Sequence, residues 1–144
     1  MKKHVKAPKT FVYNWWTNLE EDDAQIVVPL ISRKIVDRSE DCVLMQDVVK
    51  VLGQTMSYSC RVEFFPPNAW IAYYDGKVAE AKSSYRLYDE GGETGLDYNS
   101  EIIAKGFFTK LALPILKSLI RHVFSNEANV YISKLESDWK NNIR

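Results

Sequence analysis

Cysteine is scarce: the 144 residues hold two, Cys42 and Cys60, with no C-x-x-C pair, and the two histidines, His4 and His122, lie far apart in sequence. A zinc site has no good ligand set here, and a disulfide framework cannot be built. Unbalanced charge is missing too. Lys plus Arg and Asp plus Glu each number 19, so no net field draws the whole molecule to nucleic acid or an anionic membrane, and any partner must be met locally. Long apolar runs are also absent. The most apolar stretch, Leu111 to Phe124, is interrupted by Lys117, Arg121 and His122, and it is shorter than the ~20 residues of a membrane span. The opening Met1-Lys2-Lys3-His4-Val5-Lys6 runs into Ala7-Pro8 without the apolar core of a secretory signal. These absences predict a cytoplasmic protein with no transmembrane segment. There is no G-x-G-x-x-G, P-loop or G-x-S-x-G motif, so nucleotide binding and serine hydrolase chemistry lack their usual signals. No repeat, low-complexity tract or linker divides the chain. Residues 1–144 read as one domain, and a domain of this length buries roughly 70% of the surface its unfolded form exposes.

Aromatic residues are plentiful: four Trp, eight Tyr and six Phe. They serve a core or line a small-molecule pocket equally well. Val5 and its neighbours suit a short edge strand, and Pro8 suits the start of a helix. Phe11, Val12, Trp15, Trp16 and Leu19 then recur at amphipathic helical spacing. The acidic run Glu20 to Asp23 fits the positive N-terminus of a second short helix better than a metal site. From Ser32 to Ala104 the chain is rich in Val, Ile, Tyr and Thr. Turns at Ser39-Glu40-Asp41, Leu52-Gly53-Gln54, Pro66-Pro67-Asn68, Asp75-Gly76-Lys77 and Glu90-Gly91-Gly92-Glu93 separate six strands. Short turns mean hairpins, hence an antiparallel meander. After Gly106 the period is helical to about Trp139, and Pro114 must kink this helix or mark the start of its continuous part.

A two-residue loop at Leu52-Gly53 pairs odd-numbered positions with even-numbered ones. One face then carries Met45, Asp47, Val49 and Val51 opposite Met56, Tyr58, Cys60, Val62 and Phe64, and this set is the inner one. Asp47 is its misfit, since an isolated buried carboxylate costs several kcal/mol. It is either a polar anchor or acid/base group in a hydrated cavity, an outward-turned residue at a bulge, or a partner of a nearby Tyr or backbone N–H. Ser83, Tyr85, Tyr98 and Ser100 alternate onto the same face. The register places Cys42 and Cys60 on opposite faces, so both are expected as free thiols. His122, beside Arg121, reads as a rim residue.

The order of elements resembles the SRPBCC superfamily, the helix-grip fold of START lipid-transfer domains, the birch-pollen allergen and polyketide cyclase/dehydrase proteins. The likeness rests on Val5-Lys6-Ala7-Pro8 leading into Phe11 to Leu19, on Val51-Leu52-Gly53-Gln54-Thr55, on Gly92-Glu93-Thr94-Gly95-Leu96 and on Leu113-Pro114-Ile115-Leu116 leading to Leu135. It implies an α+β fold of six to seven strands wrapped around the long helix, two short helices after the first strand, and an opening near the long helix's N-terminal part. The cavity is then expected to be lined by Met45, Asp47, Val49, Met56, Tyr58, Cys60, Val62, Ser83, Tyr85, Tyr98, Ser100, Phe108, Leu111, Ile115 and Leu119.

The leading expectation is a binder or carrier of a lipid, isoprenoid, quinone or polyketide-like molecule, with no metal or cofactor. The alternatives are a cyclase or dehydratase-like enzyme using Asp47 with one or more Tyr, and a protein-interaction module. The expected partner is an apolar small molecule rather than nucleic acid, for a monomer or homodimer that can touch a membrane transiently. Gly106, Phe107, Phe108, Leu111 and Pro114 mark the expected entrance.

Overall fold

The computed structural model describes residues 1–25, 30–51, 53–77, 79–106 and 110–141. Seven strands form one antiparallel sheet: β1 (Lys2–Val5), β2 (Leu30–Arg38), β3 (Cys42–Val51), β4 (Gln54–Phe65), β5 (Ala69–Gly76), β6 (Ala79–Glu90) and β7 (Glu93–Ala104). Their spatial order is β1-β7-β6-β5-β4-β3-β2. Strands β2 to β7 are thus the expected meander, and β1 adds itself to the far side of β7, with Lys2 opposite Asp97 and Val5 opposite Thr94. Helix α1 (Lys9–Thr17) and a 3-10 turn (Glu21–Gln25) follow β1, and helix α2 (Leu113–Lys140) closes the chain. This is the helix-grip arrangement of an α+β fold.

Local chemistry explains the boundaries. Pro8 caps α1 in an extended conformation, its carbonyl accepting from Val12 N–H. The β6–β7 hairpin turns on Gly91 and Gly92, both at positive φ, which a two-residue turn of this hand needs. Pro114 lies in the first turn of α2, where no backbone bond is lost, so it starts the continuous helix rather than kinking it. Glu21, Asp22 and Asp23 form the first turn of the 3-10 segment, where Asp23 also accepts from Glu20 N–H; Ile26 and Val27 of the expected second helix lie outside the described residues.

The inner face of the sheet packs on α1 and the distal half of α2. Val5, Val12, Trp15, Val43, Met45, Leu87, Leu96, Ala128, Ile132 and Leu135 form one buried cluster, each larger aliphatic contributing roughly 1.5–3 kcal/mol by leaving water. Trp15 Nε1 donates to Asp138 Oδ2 at 2.8 Å, and Lys134 Nζ donates to Asp138 Oδ1 at 2.8 Å. The buried carboxylate is therefore paired, and it ties α1 to α2. Leu135 is fully buried, as the helical spacing predicts. Trp139 instead stays partly exposed, its ring 4.9 Å from that of Phe11.

Candidate functional site

The β3–β4 register follows the two-residue loop: Met45 faces Cys60, Asp47 faces Tyr58 and Val49 faces Met56. Beside it, β4–β5 pairing sets Cys60 opposite Tyr74 and Val62 opposite Ala72. These inner positions, with Trp15, Trp16 and Leu19 from α1 and the following loop, Trp70 on β5, Tyr85 on β6 and Tyr131 on α2, enclose a cavity of about 90 Å³. Rings fill most of the space between helix and sheet. Trp70 and Tyr85 stack at 5.0 Å and 9°, and Trp16 lies 5.6–6.2 Å from Trp70, Tyr85 and Tyr131.

One charged group stands among these rings. Asp47 is 1% exposed, and its two oxygens accept from Arg33 Nε and Nη2, each at 3.0 Å. Arg33 Nη1 donates to Asp23 Oδ2 at 3.0 Å. One guanidinium thus bridges two carboxylates from β3 and the 3-10 turn, and all three residues line the cavity. Burial works against the charge on Arg33, but hydrogen bonding and attraction to Asp47, aided by Tyr131 and Asp23, outweigh it and hold its pKa above the usual value. Cys60, nearby, is pushed up to about 12 by burial, with Asp47 adding to the rise. It remains a protonated thiol at neutral pH and is no nucleophile.

Of the residues expected at the cavity, Met45, Asp47, Val49, Tyr58, Cys60, Val62 and Tyr85 meet there. Met56 packs instead on Leu30 and Val49. Ser83 and Ser100 face each other across β6 and β7 and share a hydrogen bond of 2.9 Å, which satisfies the hydroxyls within the sheet. Tyr98 is buried, its hydroxyl 2.8 Å from Met1 Sδ. Leu111 and Ile115 do not line the cavity: they are 65% and 75% exposed. Phe108 and the side chain of Leu119 lie outside the described residues. Cys42 and Cys60 are free thiols.

Arg33, Asp23, Trp70 and Tyr131 were not anticipated at the site. Trp70 and Tyr74 alternate along β5 with Ala72 and were readable in principle. Arg33 was hidden by irregularities in β2, between Leu30 and Ser32 and between Ile35 and Asp37, which break the odd-even count. Among the described residues no cluster of His, Cys, Asp and Glu has the geometry of a metal site, and no helix is long and apolar enough to cross a membrane. A wider hollow of about 570 Å³ on the opposite face of the sheet is lined by residues including Leu44, Arg61, Tyr73, Lys82, Glu101 and Ile103.

Solved structures share this architecture. The Zhui aromatase/cyclase of Streptomyces sp. R1128 superimposes with a TM-score of 0.82 at 13% identity, covering 96% of this chain and 92% of that one. A START superfamily protein from Mycobacterium smegmatis gives 0.76 at 15% identity, with 95% of each chain covered. A STAR-related lipid transfer protein fragment from Xanthomonas axonopodis gives 0.67 at 9% identity, covering 93% of this chain and 82% of that one. No family model matches the sequence, and no curated protein sequence matches it. The chain has the SRPBCC/START-like fold.

Proposed function

We propose that this protein binds an amphipathic, mainly apolar small molecule between its sheet and α2, the apolar part among the rings and a polar group beside Arg33. One observation carries the reading: an aromatic-walled cavity with a single buried cation-carboxylate cluster. Such a site combines apolar contact with a few placed polar groups. The guanidinium has more N–H donors than its three carboxylate contacts use, so it can also meet a ligand oxygen. The START-like neighbours and the aromatase/cyclase support an apolar ligand at the level of the fold.

The present volume of about 90 Å³ holds about three waters at ~30 Å³ each. Ligand pockets usually run to about 300–1,000 Å³. A ligand of that size needs more room than this, and Trp16 is the ring we propose moves to supply it. It is only half-buried, on a short helix, and touches the other wall rings. Native mass spectrometry of protein purified without detergent should show a bound apolar species, and Trp16→Ala should raise affinity for apolar probe molecules. If no species co-purifies and neither form binds a panel of such molecules, the reading fails.

A second reading, a cyclase or dehydratase-like enzyme, is favoured by the buried cationic Arg33 facing the cavity, a group suited to stabilise a developing oxyanion. Both oxygens of Asp47 are held by Arg33. The carboxylate would then orient the guanidinium rather than move a proton, and Asp47→Asn should slow turnover more than it weakens binding.

A further inference from the structure

The meander places four features at one end of the sheet: the start of β2, the β3–β4 turn, the β5–β6 turn and the exit from β7 toward α2. The opposite end carries the β2–β3, β4–β5 and β6–β7 turns. Exposed charge is divided between them. The first end presents Lys50, Lys77 and Lys110, and α2 runs away from it carrying Lys117 and Arg121, all exposed. The second presents Glu40, Asp41, Asp89 and Glu93, also exposed. Residues 105–126 include Lys105, Lys110, Lys117 and Arg121 and not one Asp or Glu, in a chain whose charges cancel overall. The acids nearest the first end, Asp75 and Glu80, are both engaged by Lys105, at 2.5 and 3.6 Å.

The same end exposes its apolar side chains. Leu111 and Ile115 are among the most exposed large hydrophobics of the described residues, and they lie four positions apart, as do Lys117 and Arg121. Four-residue spacing puts Lys117 and Arg121 on one side of α2, while Leu111 lies just ahead of the helix and Ile115 in its first turn. Pro114, between them, is exposed as well. A basic stripe beside protruding aliphatic side chains is the chemistry that seats a helix in the interface of an anionic bilayer: the cations meet lipid phosphates while the aliphatics enter the acyl boundary. A soluble acidic partner would satisfy the cations but leave Leu111 and Ile115 in water.

The geometry points to a docking surface for an anionic lipid bilayer at the α2 N-terminal end of the molecule, with Lys110, Lys117 and Arg121 as the charged contacts and Leu111 and Ile115 as the inserted ones. It stands independently of any cavity ligand and goes beyond ligand binding. Co-flotation tests it, using the full chain with vesicles of phosphatidylcholine alone and of equimolar phosphatidylcholine and phosphatidylglycerol. The protein should float with the anionic vesicles only, less so as salt is raised. Lys117→Gln with Arg121→Gln should weaken binding roughly thirtyfold, two cations being lost from the surface. Leu111→Ser with Ile115→Ser should weaken it by roughly tenfold or more through lost insertion. Both pairs are exposed, and circular dichroism should show the fold retained. Failure to float with anionic vesicles, equal binding to neutral ones, or indifference to both double substitutions would overturn the proposal. So would retention on heparin without vesicle binding, which would assign the surface to a soluble polyanion.

Discussion

Asp47 and Arg33 show how a residue that looks misplaced is accommodated. A carboxylate at this depth costs several kcal/mol if unpaired, and here a bidentate guanidinium meets both its oxygens. Removing one member leaves the other buried with too few partners. Asp47→Ala should lower stability by about 3 kcal/mol, read by urea denaturation, whereas Arg33→Met with Asp47→Leu should cost less than the sum of the single changes. The inward position of Asp47 was legible in the sequence, because the short Leu52-Gly53 loop sets the pairing and the pleat does the rest. Its partner was not legible. An extra residue in β2 reverses which side chains point inward, and no turn signal marks where that happens.

Individual elements differ in how firmly they are held. Strand β1 is four residues long, and its His4 places Nδ1 on Glu90 and Nε2 on Glu93, across β6 and β7. Hydrogen bonds to Glu90 and then Glu93 raise the His4 pKa above 6.5, while the bond from His4, helped by Tyr88 and Lys2, lowers that of Glu90 below 4.5. The raised group stabilises fully below 6.5 and loses this contribution as pH climbs through its folded value; the lowered one stabilises above 4.5 and loses it as pH falls. The clasp is therefore best formed between these limits. Amide exchange in β1, corrected for intrinsic rates, should be most protected near pH 5.5 and less so at pH 9, and His4→Gln should remove the difference. Helix α2 is uneven in another way. Its distal half carries Ala128, Ile132 and Leu135 into the core, but Ile115 and Lys117 are exposed, and Gly106 at φ 86° lies just ahead of the helix. Exchange should be faster at 110–118 than at 131–139, and a cavity ligand should slow the proximal segment more if that segment gates access. Composition alone suggested that Leu111 and Ile115 face inward, because apolar residues on a helix usually do. Their exposure is a tertiary outcome, set by what packs on the helix, and no local pattern encodes it.

At the scale of the molecule, the meander, the long helix and the short leading strand were readable because turns and periodicity are local signals. The size of the space between helix and sheet was not, since it depends on how far each ring reaches across it. That packing has an optical consequence. Of the four tryptophans, Trp15, Trp16 and Trp70 wall the cavity, and Trp139 sits at the surface against Phe11. The protein's intrinsic fluorescence is thus dominated by the chamber itself. A Trp139→Phe form would emit only from those three indoles, so occupancy of the chamber could be followed as a spectral shift without attaching a dye.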